Sequence, residues 1–360
     1  MRFPGFEGEW EDKILGEVCK MQAGKFVSAS EIYQNPEDEL FPCYGGNGLR
    51  GYTRSYNQSG VYSLIGRQGA LCGNITLVNG KFHATEHAVV VTPSDKIDTT
   101  WMYYLLTYLN LNQYATGAAQ PGLSVQNLEK VEATIPKSKE EQQKISLFLS
   151  LIDQRIQTQN KIIEQLESSI QIVREKILSQ KLRFKDRKGN AFPSWVNTSL
   201  QDIATKKSSN ISANKIEENV GKYIIYGASG ILKKVDFYEE ENDYISIIKD
   251  GAGVGRLFYC KGKSSVLGTM DIIKPYADFN TYFLFCLLST LDFTKYVTGS
   301  TIPHIYFKDY KHESFDIPCI EEQVQISTFL CAIYDKIQIE KNILGKYIIC
   351  KKHLLTNLFI

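Results

Sequence analysis

IPKSKEEQQKISLFLSLIDQRI, residues 135–156, returns as IPCIEEQVQISTFLCAIYDKI at 317–337, an interval of about 182 residues. The match extends upstream. YATG at 114–117 returns as YVTG at 296–299, and YGGNG at 44–48 as YGASG at 226–230. Between 61–93 and 243–275, eight of 33 positions are identical, among them Tyr62/Tyr244, Gly69/Gly251, Gly73/Gly255 and Pro93/Pro275. Two copies of about 180 residues are too long and too few for a solenoid, whose repeats run to about 20–50 residues. The pattern predicts a tandem duplication of a domain plus a helix, with an approximate internal twofold suited to a target that also has two halves.

Each copy ends in a heptad. In the first, Ile145, Leu149, Ile152, Ile156, Gln159, Ile163, Leu166, Ile170, Val173 and Ile177 follow alternating steps of four and three. The second places Ile326, Leu330, Ile333, Ile337, Glu340, Leu344, Tyr347, Lys351, Leu354 and Leu358 on the same steps. Pro136, Ser138 and Glu140/Glu141 form a helix start, with acidic residues suited to the helix dipole. A helix over 138–182 would be about 65 Å long at 1.5 Å per residue. Neither seam is stable alone in water, and the chain must return between them, so an antiparallel pair is expected. Gln159 and Glu340 then form a polar layer that fixes register.

The segments between are rich in Gly, Asn, Ser and Tyr. Short β-branched runs stand at 61–66, 74–78, 87–91 and 243–248, with Asn79-Gly80 and Lys261-Gly262 read as turns between strands. Apolar helical stretches follow at 101–111 and 281–291. The expected fold class is α+β: two similar mixed α/β domains separated by an antiparallel pair of long heptad helices, with pseudo-twofold symmetry. The expected boundaries are 1–137, 138–182, 183–318 and 319–360.

Composition bounds the function. Hydrophobic residues make up 43% and charged residues 22%, as in globular proteins. The N-terminus lacks a signal peptide's apolar stretch, and no run approaches 18 apolar residues, so neither export nor a membrane span is expected. Eight scattered cysteines without CxxC or metal-ligand spacing read as reduced thiols of a cytoplasmic protein. A net charge of +1 lacks the basic excess usual in strong nucleic-acid binders, although local basic patches remain open.

Two sets of loops carry the candidate site. Gly45–Arg50 and Ile65–Gly73 place Asn47, Arg50, Arg67, Gln68 and Gly69 among small residues; the second copy places Ser229, Lys249, Asp250 and Gly251 there. Glycine lets backbone approach a ligand closely or makes tight turns. These polar side chains can read base edges or hold phosphates. The loops after Gly117 and Gly299 supply Gln120, Ser124, His304 and Tyr306.

His83-Ala-Thr-Glu86-His87 matches an inverted zinc-peptidase pattern, which requires a helix. Here it runs into Ala88–Val91, a strand pattern. On a strand the two histidines would stand about 13 Å apart, so they are read as same-face strand residues, open to DNA, rather than ligands of one metal. Gly262-Lys263-Ser264 lacks the leading glycine of a phosphate loop, and no methyltransferase tetrapeptide or nucleophile elbow occurs.

Domain, helix, domain, helix resembles the specificity (S) subunit of type I restriction–modification systems. The residues that carry the resemblance are Phe3-Pro4-Gly5-Phe6 with Trp10, echoed by Phe192-Pro193-Ser194-Trp195. With them stand Ile-Pro followed by Glu-Glu-Gln at 135–142 and 317–323, and IGRQG at 65–69. The resemblance implies two target-recognition domains, each reading one half of a split site in double-stranded DNA, with the helices as a ruler. It implies two modification (methyltransferase) subunits docked on this chain and restriction subunits joining those. The chain itself would be non-catalytic and hold no cofactor: S-adenosylmethionine belongs to the modification subunit and ATP to the restriction subunit. Those methyltransferases can supply much of the phosphate contact that a near-neutral chain lacks.

Overall fold

A computed structural model describes residues 2–69, 71–117 and 121–359. The chain divides into two compact units, residues 1–161 with 342–360, and residues 162–341.

In the first unit six strands form one sheet, in the order Cys19–Ala23, Ala88–Pro93, Gln58–Gly66, Ile75–Ala84, Phe41–Gly45, Gly48–Thr53. Neighbours pair antiparallel except Phe41–Gly45 with Ile75–Ala84, which run parallel with Cys43 opposite His83. One end of the sheet is covered by the helix Thr99–Tyr108, capped by Asp98, whose side chain accepts from Trp101 N at 2.8 Å. Its buried Trp101, Met102, Leu105 and Leu106 join Val89, Val91 and Ile65 in one core.

The second unit repeats this plan with a break. Its strands form a four-stranded sheet, Ala204–Ser208, Met270–Pro275, Tyr244–Ile248, Leu257–Cys260, and a three-stranded one, Gly230–Val235, Tyr223–Gly227, Ser264–Val266. Lys263, in left-handed backbone at φ 52°, interrupts what is one continuous strand in the first unit. Asn79-Gly80, read from sequence as a turn, lies inside the strand Ile75–Ala84, where Gly80 pairs with Gly60. The long partner Gln58–Gly66 carries the ladder through, and neighbouring strands override a local turn signal.

The histidine reading also changes. His83 lies on the strand, but His87 lies in the turn before Ala88–Pro93, so the two do not share a strand face. His83 is buried, with Nε2 3.1 Å from the Lys25 carbonyl. Among the described residues no group of His, Cys, Asp or Glu could hold a metal.

Two long helices run Lys139–Leu178 and Ile320–Leu358. Every heptad position named above is buried or half-buried, Gln159 and Glu340 included. Within each unit the helices run antiparallel. In the second, Glu167 meets Lys341 at 2.7 Å, and further along Ile177 shares a core with Ile326 and Leu330. In the first, Asp153 meets Lys351 at 2.6 Å, and Ile145 and Leu149 share a core with Leu354 and Leu358. Among the described residues no helix is long and apolar enough to cross a membrane.

Candidate nucleic-acid interface

In the first unit, backbone hydrogen bonds stitch three loops together. Arg67 N donates to His87 O at 2.9 Å, Leu123 N to Arg67 O at 2.9 Å, and Gly69 N to Pro121 O at 3.3 Å. The second unit repeats the last two: Ile305 N donates to Lys249 O at 2.9 Å and Gly251 N to Pro303 O at 2.9 Å. Inside the loop, Gly73 N bonds Gly66 O and Gly255 N bonds Ile248 O, each at 2.8 Å. Gly73 (φ 87°) and Gly255 (φ 84°) have no substitute. A Cβ on the first would stand 2.4 Å from Asn112 N, and on the second 2.7 Å from Phe293 Cβ. The glycines shape the loop; the polar side chains on it are free to differ.

In the first unit Asn47, Arg50, Gln68 and Gly69 line one cleft of about 390 Å³, with His87 at its edge. Asn47, Arg50 and Gln68 are exposed. His87 Nε2 lies 3.2 Å from Glu86 Oε1, while Glu86 Oε2 is buried with no hydrogen-bond partner. Arg67 is turned inward: its Nε donates to Leu123 O at 3.1 Å, so it braces the loop as well as offering charge. Ser124 caps the short helix Val125–Glu129, accepting from Asn127 N at 3.1 Å. Gln120 lies outside the described residues.

In the second unit Lys249, Asp250 and Tyr306 line a larger cleft of about 700 Å³. Gly251 turns the loop at φ 87°. His304 pairs its backbone with Asp250 and Thr298, and its ring meets that of Tyr306 at 5.0 Å. Ser229 sits on the hairpin turn between Tyr223–Gly227 and Gly230–Val235, exposed, and does not line this cleft.

The sequence reading missed the floor of that cleft. Asp271, 4% exposed, accepts from Ser208 Oγ at 2.8 Å, with Lys249 Nζ at 3.5 Å and Lys206 Nζ at 3.6 Å. A signal was present: Asp271 interrupts an otherwise apolar strand, Met270–Ile273, where the first unit has Val89. An unpaired carboxylate there would be costly, and the lysines and serine offset that cost. Lys308, exposed on the rim, lies over the Tyr306 ring at 5.1 Å.

Two mixed α/β units with loop-built polar clefts, each braced by long helices, match a known family. The chain belongs to the type I restriction modification DNA specificity domain family, which it matches over residues 7–168 and 194–346. It is 46% identical over 154 residues to the type I restriction enzyme EcoprrI specificity subunit of Escherichia coli. That segment covers 42% of this chain and 38% of the relative, so the match spans well under half of that relative's length. A putative type I specificity subunit of Mycoplasma pneumoniae is 23% identical over 295 residues, 78% of this chain and 76% of that one. In fold, the chain is similar to the crystal structure of a type I restriction-modification S subunit from M. genitalium. The TM-score is 0.76 at 18% identity, over 100% of this chain and 99% of the other.

Proposed function

We propose that this chain is the DNA-reading, non-catalytic subunit of a cytoplasmic type I restriction–modification assembly, and that each unit reads one half of a bipartite site in double-stranded DNA. Asn47, Arg50, Arg67, Gln68, Gly69, Gln120 and Ser124 belong to the first reading surface. Ser229, Lys249, Asp250, Gly251, His304 and Tyr306 belong to the second. One observation carries the reading: the same stitched loop occurs twice, yet Arg67 and Gln68 in one copy become Lys249 and Asp250 in the other. A constant frame with exchanged donors and acceptors is what recognition of two different half-sites needs. Family membership supports it.

Two modification subunits dock on this chain and bring S-adenosylmethionine; restriction subunits join them and bring ATP. The long helices set the unread spacer. The test is methylome sequencing of cells carrying this chain with its modification subunit. A bipartite methylated motif is expected, and exchanging residues 1–136 for those of another family member changes one half only. Absence of a motif, or a change in both halves, overturns the reading.

A further inference from the structure

The cleft of the second unit carries more chemistry than its counterpart. Its floor and rim hold Lys206, Lys249, Lys308 and Lys311 against Asp250 and Asp271. At the equivalent strand positions the first unit has Met21 for Lys206, Ala23 for Ser208 and Val89 for Asp271, on matching ladders (Ala23 opposite Val89, Ser208 opposite Asp271). A positive cleft of about 700 Å³ exceeds a single small anion and suits a polyanion. Both floor lysines stand beyond hydrogen-bond length from Asp271, at 3.5 and 3.6 Å. Lys206 Nζ donates to Ser208 Oγ at 2.9 Å, whereas the Asp271 charge steers Lys249 while its N–H donors stay available. Beside Lys249, the half-buried Asp250 carboxylate supplies only acceptors.

A donor next to an acceptor fits the adenine edge, N7 beside the N6 amino group, as well as a G·C pair. The residue types decide, because Lys most often reads guanine and Asp the cytosine amino group, whereas adenine is read by Asn or Gln. In the major groove guanine shows two adjacent acceptors, N7 and O6, and its cytosine partner shows an amino donor. We infer that the second unit's cleft reads a G·C pair, Lys249 donating to guanine and Asp250 accepting from cytosine. Asp271 is a positioning residue that orients Lys249, and Lys308, braced on Tyr306, holds a backbone phosphate. This rests on the DNA-reading function proposed above.

The test uses the assembled complex of this chain with its modification subunit. Binding is measured on duplexes carrying the methylated motif and each single-pair variant, at two salt concentrations. Lys249→Gln and Asp250→Asn each lose discrimination at one and the same G·C pair, by about 5- to 150-fold. Asp271→Asn loses discrimination at that pair with the salt slope intact, which a purely structural loss would not do. Lys308→Gln weakens binding to all duplexes alike and lowers the salt slope by about 1. Should Asp271→Asn fail to fold, the variants at the more exposed Lys249 and Asp250 decide the matter. If both keep full discrimination, or lose it at different pairs or at an A·T pair, the assignment is overturned while a discriminating wild type leaves the proposed function standing. A wild-type complex that discriminates nowhere overturns both.

Discussion

Arg183 grips both carboxylate oxygens of Glu322, Nε to Oε1 at 2.8 Å and Nη2 to Oε2 at 2.8 Å. Arg2 does the same to Glu141, at 2.7 and 2.8 Å. The indoles of Trp195 and Trp10 donate to the same two carboxylates. The adjoining glutamines match as well: Gln142 Nε2 donates to Pro136 O and Gln323 Nε2 to Pro318 O, both at 3.0 Å. Their Oε1 atoms accept from Asp98 N and Asn280 N, the capping residues of the two domain helices. The repeated Ile-Pro…Glu-Glu-Gln is therefore a clamp. Its second Glu holds the start of each domain and its Gln holds the domain helix, while the first Glu points to solvent.

Glu322→Ala leaves the Arg183 guanidinium and the Trp195 indole without their acceptor. Glu322 is fully buried but Arg183 is 28% exposed, so the loss should fall near the lower end for a broken buried pair, about 2–3 kcal/mol. Urea unfolding should detect it, with Glu321→Ala, a change at an exposed neighbour, staying within about 0.5 kcal/mol of wild type.

Phe359, 2% exposed, stacks on Trp101 at 5.7 Å and on Tyr108 at 5.3 Å. Phe359→Ala should cost about 3 kcal/mol. Limited proteolysis should then cut the first unit faster and leave the second as resistant as before; equal loosening of both would contradict the division of the chain.

Burial pushes the thiols of Cys19, Cys260 and Cys286 up to about 12. Since the thiolate is the reactive form, these should resist alkylation at pH 8. Cys350 is exposed and should react first. Mass spectrometry of briefly labelled native protein checks the order, and early modification of Cys286 would count against the packing around it.

Burial alone would raise the carboxyl of Glu240, but Lys274 and Lys207 outweigh it and hold the group below its ordinary value. A depressed folded-state pKa contributes stability above the unfolded value, about 4.3 for Glu, and loses it as pH falls through the folded value. The stability difference between wild type and Glu240→Gln should therefore be full at pH 6 and shrink below about pH 4. A constant difference would contradict the pairing.

In the first unit Gln68 is exposed in a cleft with Asn47 and Arg50. Gln68→Ala in the methyltransferase complex should relax one position of one half-site and leave the other unchanged. Methylome sequencing reads this directly.

The heptads were legible because each is a periodic signal in apolar residues, which burial enforces, and the repeat because turn glycines and the Ile-Pro…Glu-Glu-Gln motif recur at one interval. The first-unit cleft was legible from glycine-flanked polar loops. Asp271 and Lys206 were not, because both lie in strands whose neighbours set the local reading, and only cross-strand pairing brings them to Lys249. His87 reads as strand from sequence because Ala88–Val91 follows at once, yet tertiary pairing closes the strand one turn later. The inward turn of Arg67 depends on Leu123 O, 56 residues away, and no local pattern encodes that contact.

The first unit is assembled from both ends of a span, whereas the second is one uninterrupted stretch, 162–341. During synthesis the second can close as soon as its own residues emerge. The first must wait, with Ile145, Leu149 and Trp101 short of their partners, until Leu354, Leu358 and Phe359 have been made. The core of the unit translated first is thus the last to be completed, and a premature stop in the last turns of the final helix strikes that unit.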